Sequence, residues 1–527
     1  MKEVLLGIDI GGGGIKVGGF DLEGNLLGLV SEPLDNVFPR PGWAESHPRH
    51  WLERLSACMK NLLPALDGHS IVGIGLSNMC PSLVAMDADG NPLRPAILYL
   101  DTRSFREAAF IQGKAPLEWF LEESGNRVAP GTISGTTMRW IKDNEPEVYG
   151  AAALFGHANT FLAMALTGNA GMDYSNASLT GLFDQGRKRS WSPALCEIYG
   201  VDLKKLPKLI QSHEMVGKLN ERGAKILGLS EGIPVAMGGA DSACSALAAG
   251  VVEDGEVFET MGTSDVLAIC MERPTFDARF LNRCHAFPSR WLAMGAMVAV
   301  GAAFRWARDT LGEEEKDVAR LCGLDAYDLL CREAALSKPG ANGVIFLPYM
   351  SGERSPIWDP HAKGVFFGLS LSTTKNDLIR AVLEGGSYGL RQNVEAAEEL
   401  LGRKLSSIAV VGKGARNPFL ASLRSEITGV EIVALSFYET ATLGAAMLGG
   451  VASGAYKDCH EAVRRAAQRD GKAHRPSGED KATYDATYSI YKSLYPALKG
   501  HFKELRDLDF DGQEGEGAGR RSKPGHS

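Results

Sequence analysis

Two stretches of this chain, about half its length apart, are written on one plan. "LLGIDIGGGGIKVGGFD" (5–21) is an apolar strand, four consecutive glycines and an apolar return strand. "GEVFETMGTSDVLAIC" (255–270) is again strand, glycine turn, strand. This internal repeat constrains the fold more than any bulk property: it predicts two related halves that face each other. The length of 527 residues agrees, since a single hydrophobic core does not extend over so long a chain. Strands alternate with helical patterns, among them 49–65, 377–402 and the strand–turn–helix "IAVVGKGARNPFLASLRSEITG" (408–429). That alternation places both halves in the α/β class. After roughly residue 500 the pattern stops, and the Gly-rich polar end reads as a disordered tail.

Charge narrows what the glycine turns serve. The formal net charge is −8, with no basic excess to suggest a nucleic acid or anionic membrane partner. No apolar run reaches membrane-spanning length. The N-terminus enters a strand directly, without a basic region or cleavage site. Nine cysteines are scattered without a C-x-x-C spacing, which reads as reduced thiols. A cytoplasmic protein is expected.

A glycine run after a strand lets backbone N–H groups approach an anion without interference from Cβ atoms. Gly11, Gly12 and Gly13 are therefore candidates to cradle phosphate, with a ligand-free hairpin as the alternative. Asp9, at the strand end, is placed to orient the waters of a phosphate-borne Mg²⁺. Neither G-x-x-x-x-G-K-[ST] nor G-x-G-x-x-G is completed here. Asp241, after two glycines and before a helix, is either a helix cap or a general base. Gly262, Thr263 and Ser264 suit polyphosphate oxygens, and "GKGARN" (412–417) opens a helix after a strand, a plausible nucleotide site. Gly385 to Gly389 fit G-x-S-x-G, but inside a helical pattern where no nucleophile elbow forms. His157, His285 and His361 lack zinc spacing and read as solvated or core histidines.

The order of these stretches resembles the FGGY carbohydrate kinases of the actin-like, sugar kinase and heat-shock ATPase superfamily, over residues 4 to 460. The most specific stretch is "GVFFGLSLSTTKNDLIRAVLE" (364–384), which carries the C-terminal signature. "FLPYMSGERSPIWDP" (346–360), "PGWAESHPRHW" (41–51), "LRPAILYLDTR" (93–103) and "DYSNAS" (173–178) fit as well. The resemblance implies two ribonuclease H-like domains, each a five-stranded mixed sheet with helices, facing a central cleft. The expected divisions are 1–247 for sugar and the first phosphate loop, 248–500 for nucleotide, and 501–527 for the tail. It implies ATP and Mg²⁺, with Asp241 as base and Asp9 as the ligand of magnesium-bound water. It implies Gly262 and Thr263 at the β- and γ-phosphates, and Gly301, Gly414 and Asn417 along the nucleoside, with Arg305 near the nucleotide. Dimers are frequent in such families, so a homodimer is compatible with it.

The chain also departs from the pattern. Relatives usually carry Thr or Ser after the first glycine of the opening loop; here the loop has no hydroxyl. Ser264, Thr263 or Lys16 is expected to compensate. Lys413 stands where relatives commonly have glycine, and solvent is its expected surroundings. In place of the Arg-Glu pair of glycerol kinases and the Met-His pair of xylulose kinases, the segment Asn78, Met79, Cys80, Pro81 carries neither, which disfavours glycerol. Met79 and Cys80 read equally as core residues. Tyr99 is expected to pack on the sugar, and Asp101 either binds substrate or pairs with Arg103. The implied activity is phosphorylation of a primary hydroxyl on a pentulose, other ketose or alditol. A catalytically weak sugar sensor is the alternative.

Overall fold

The computed structural model describes residues 2–412 and 414–508. Lys413 and the tail beyond residue 508 lie outside the described residues. Two seven-stranded mixed sheets form the centre, where five strands each were expected. The surplus includes strands of two to four residues, too short to show a period in the sequence.

The first sheet contains β1 (Lys2–Ile10), β2 (Gly14–Phe20), β3 (Leu26–Pro33), β4 (His69–Asn78), β5 (Met215–Lys218), β6 (Pro234–Ala236) and β7 (Gly239–Ala240). Its order is β5-β6-β4-β1-β2-β3, with β7 beside β4. The second contains β8 (Val257–Met261), β9 (Asp265–Met271), β10 (Leu281–Cys284), β11 (Trp291–Met297), β12 (Ser407–Val411), β13 (Glu431–Leu435) and β14 (Gly471–His474). Its order is β10-β11-β9-β8-β12-β13-β14. The repeat seen in the sequence is a structural one. β1 pairs antiparallel with β2 and parallel with β4, and β8 pairs antiparallel with β9 and parallel with β12. Each glycine turn thus sits at the same place in its sheet.

Six helices matter for the site: α1 (Asp241–Ala248), α2 (Val300–Leu311), α3 (Lys375–Leu401), α4 (Pro418–Thr428), α5 (Thr440–Ser453) and α6 (Lys481–Asp507). The division expected at 247/248 falls inside α1. α3 opens with a capping box between Thr374 and Asp377, which satisfies N–H groups left over at its start. It contains Gly385 to Gly389, and the Ser387 hydroxyl donates to the Leu383 carbonyl at 2.8 Å. The elbow motif is therefore a buried helical turn, as its periodicity indicates.

α5 lies in sequence between β13 and β14 of the second sheet but packs on β1 and β4 of the first. The approach is backbone to backbone. A Cβ on Gly7 would lie 1.8 Å from the Thr442 carbonyl oxygen, and one on Gly75 would lie 1.7 Å from that of Ala445. α6 corrects the expected tail, since residues 501–507 are helical. Tyr484, Tyr488, Tyr491, Leu494 and Phe502 bury one stripe of α6 in the second core. Phe502 carries that stripe past residue 500. All nine cysteines are free. Among the described residues no helix is long and apolar enough to cross a membrane.

Candidate active site

Strand register gathers the first half of the site. Asp9 lies beside Ser77 and Ile10 beside Asn78 in the parallel pair β1–β4. β7 extends the line, with Gly239 beside Ser77 and Ala240 beside Asn78. α1 begins at the next residue, Asp241. Asp9, Asn78 and Asp241 therefore issue together from the carboxyl ends of strands, where open α/β sheets hold ligands.

Asp9 is buried, and its Oδ1 accepts the Ser77 hydroxyl at 2.7 Å. Burial first, and then the charge of Asp241, push its pKa up from 3.8 to about 6. Its Oδ2 faces the glycine loop, 3.7 Å from where a Cβ on Gly11 would stand. Asp241 is not the cap of α1: that position is Ala240, and Asp241 Oδ1 accepts the adjacent Ser242 N–H at 2.6 Å. Burial raises the Asp241 pKa, and the Arg283 guanidinium opposes the rise. A carboxylate whose pKa is raised by burial takes up a proton more readily than a solvated one.

The first loop is closed by the Gly11 N–H on the Gly14 carbonyl at 2.9 Å. The Asn36 amide donates to the Gly12 carbonyl. The Tyr99 hydroxyl stands 3.4 Å from where a Cβ on Gly12 would lie, so Tyr99 borders this loop. Lys16 lies opposite Asp9 in β2, and its ammonium pairs with Glu439 at 2.7 Å.

The second half of the site is a cavity of about 560 Å³ at the turn between β8 and β9. Gly262, Thr263, Gly301, Arg305, Gly414 and Asn417 all line it. Gly301 has a steric reason: a Cβ there would lie 1.8 Å from the Gly262 carbonyl oxygen. The Arg305 guanidinium donates to the Thr263 hydroxyl at 2.8 Å, and the Ala302 N–H to the Thr263 carbonyl at 2.9 Å. Asn417 caps α4 through the Leu420 N–H and donates to Asp328 at 2.7 Å. Ser264 is exposed and not among the lining residues; its carbonyl accepts the Gly262 N–H at 3.1 Å.

Behind this turn Arg424 pairs with Glu259 and Asp265, all three buried. The start of α2 is tied down by Glu353, which accepts the Val298 N–H at 2.7 Å and the Arg354 N–H at 2.8 Å. The Gly-Glu-Arg block thus anchors the nucleotide side. The Arg354 guanidinium makes no hydrogen bond among the described residues, and the Tyr99 phenol is a source of its electrostatic field.

The expected sugar wall divides. Met79 belongs to the core of the first sheet. Asn78 and Asn176 exchange amide hydrogen bonds of 3.2 and 3.0 Å. Cys80 Sγ lies 3.8 Å from His157 Nδ1, next to Pro81. Asp101 pairs with Arg103: its Oδ2 accepts the Arg103 guanidinium at 2.7 Å and the Ala44 N–H at 2.6 Å, and its Oδ1 accepts the Arg103 Nε–H at 2.9 Å.

Other members of the site carry no local signal in the sequence. Arg283, on β10, reaches Ser242 Oγ at 2.8 Å. His157 is buried, bonded to Ser134 at 2.9 Å and Asn176 at 3.0 Å, and burial lowers its pKa to about 4. It is a core histidine. Phe304 and Tyr327, rings 5.0 Å apart, give the nucleotide cavity an aromatic side. Their spacing in the chain matches no fingerprint.

A magnesium ion carried on phosphates takes mostly water and one or two carboxylates as ligands. Asp9 fits that description, with one oxygen fixed and one directed at the loop. Among the described residues no group of three or more His, Cys, Asp or Glu side chains could hold a metal ion.

The chain matches the N-terminal domain of the FGGY family of carbohydrate kinases over residues 4–248 and the C-terminal domain over 258–453. It is 33% identical over 508 residues to a xylulose kinase of Staphylococcus epidermidis, covering 95% of this chain and 98% of that one. It is 27% identical to a gluconokinase of Bacillus subtilis, covering 96% and 98%. The solved structure of a xylulose kinase from Rhodospirillum rubrum superposes with a TM-score of 0.86 at 27% identity, covering 95% of this chain and all of that one. On both domain matches and the Staphylococcus epidermidis relative, the chain belongs to the FGGY family of carbohydrate kinases.

Proposed function

We propose that this carbohydrate kinase transfers the γ-phosphoryl group of ATP to a primary hydroxyl of a small sugar or polyol, with Asp241 as general base. The substrate is a pentulose, another ketose or an alditol; glycerol is disfavoured by Cys80 and Pro81. The observation that carries this reading is the strand register, which puts Asp9 and Asp241 together at the sheet end.

Asp241 accepts the proton of the attacking hydroxyl as the new O–P bond forms and the β–γ bridging bond breaks. Asn78 and the wall beside it hold the sugar. The backbone N–H groups of both turns, with Thr263 fixed by Arg305, position the phosphates. Asp9 would hold the magnesium ion through its waters; when bound, that ion neutralises charge on the β- and γ-oxygens. Positioning and electrostatics supply most of the acceleration in such transfers.

The test is a coupled ADP-release assay with Mg-ATP against ketoses, aldoses and alditols. Turnover with one substrate supports the reading. Stabilisation by a sugar against heat, without turnover, would replace it with a sensor.

A further inference from the structure

Arg283, on β10 of the second sheet, reaches across to Ser242, the neighbour of Asp241. It is 2% exposed, one Nη donates to Ser242, and its Nε has no hydrogen-bond partner. Among the described residues it makes no ion pair, whereas the equally buried Arg424 holds two carboxylates. A buried ion left without a counter-charge is costly, because it loses its hydration and gains nothing in return.

The neighbours do not supply that counter-charge freely. Arg283 is the cation that acts on Cys80, His157 and Asp241 alike. Burial keeps the Cys80 thiol protonated, with its pKa pushed up to about 12, and His157 is neutral. Asp173 is committed to Ser175 and to the Asn176 amide at 2.6 Å. Asp241 must stay free for the substrate hydroxyl.

We propose that Arg283 is a specificity residue that receives a carboxylate of the substrate, so that the sugar is an aldonic or ketoaldonic acid. This rests on the kinase reading above and narrows it to the acid forms of its polyols and ketoses. A carboxylate accepts the unpartnered Nε–H and supplies the missing negative charge. A pocket with a buried donor strongly rejects analogues that leave that donor unpaired.

The experiment compares kcat/KM for D-gluconate and 2-keto-D-gluconate with D-xylulose, xylitol and D-ribulose 5-phosphate, in wild type, Arg283→Gln and Arg283→Lys. Retained binding of MgADP checks that each variant is folded. The expected result is one acid preferred over the neutral sugars by about 100-fold. Arg283→Gln should collapse that ratio by a similar factor, and Arg283→Lys should keep part of it. If Arg283→Gln does not fold, a roughly tenfold fall of the ratio in Arg283→Lys is the expected outcome. Preference for a neutral sugar or for the sugar phosphate overturns the proposal. So does equal slowing of acid and neutral substrates in the variants, which would make Arg283 a counter-ion of Asp241. If nothing is turned over, the kinase reading fails by itself. Calorimetric titration of the two acids then decides: binding to wild type that is lost in Arg283→Gln upholds Arg283 as the carboxylate site, and no binding to wild type overturns it.

Discussion

At the mouth of the first sheet, Asp9 is buried beside the charge of Asp241, and its pKa is raised to about 6. At the matching place in the second sheet, Glu259 and Asp265 are buried too, but Arg424 lies between them. The first turn is four glycines with no side chain to hold an anion; the second is braced by Arg305 on Thr263 and by Gly301 against Gly262. One hairpin design thus serves two ends. In the second half the charges neutralise each other and stiffen the frame behind the cavity. In the first half they are left short of partners, as the substrate and magnesium sites proposed there require. Marginal local stability is the usual companion of such sites.

That contrast can be broken from either side. The largest effect is expected for Asp241→Asn, which should lower kcat by roughly 10²–10⁴ while MgADP affinity, read by calorimetry, is unchanged. A loss below about tenfold would remove Asp241 as the base. Next comes Arg424→Met. It strands two buried carboxylates and should cost about 3–5 kcal/mol, seen as a lower thermal midpoint, with the loss shrinking in acid as the carboxylates take up protons.

Asp9→Asn should act in the opposite direction. Asp9 binds its proton more tightly in the folded chain than in the unfolded one, so wild-type stability falls as pH rises from 3.8 to about 6. The variant escapes that loss. It should be more stable than wild type above pH 6, by up to roughly 3 kcal/mol, with no advantage below the unfolded value. Melting curves across pH, without nucleotide or magnesium, check the sign. The smallest effect is expected for Gly12→Ser. The new Cβ meets the Tyr99 hydroxyl at an ordinary 3.4 Å, so the loop accepts it. A restored hydroxyl to a charged phosphate should raise kcat/KM for ATP by about tenfold, since such a bond contributes about 1.5–3 kcal/mol before losses elsewhere.

The hairpins, the long helix α3 and the cavity-lining glycines were legible because each is a local pattern: a period, a turn or a motif at fixed spacing. Gly301 was found by resemblance, and its reason, the contact with Gly262, only by structure. Glu439 could not be found as the partner of Lys16, because 423 residues separate them. Arg283 stands in a strand of four residues and carries no pattern of its own. Phe304 and Tyr327 look like ordinary helix residues until the cavity shows what they face. Asp101 was read both ways in the sequence, and of the two readings the pairing with Arg103 is the one seen, together with the Ala44 N–H. The end of α6 was missed because one aromatic residue, Phe502, sits alone among charges.

The crossing of α5 over the first sheet bears on how this chain can be cut. A fragment ending near residue 256 would keep every strand of the first sheet yet lose the helix that covers β1 and β4. Its glycine-lined face, shaped for a backbone, would be bare. The complementary fragment would carry α5 with nothing to lie against. Separate expression should therefore yield insoluble halves, and co-expression should restore a working enzyme. Gene fusions and circular permutants of this scaffold have to keep the strand β1 and the helix α5 in the same molecule, although they are more than four hundred residues apart in the sequence.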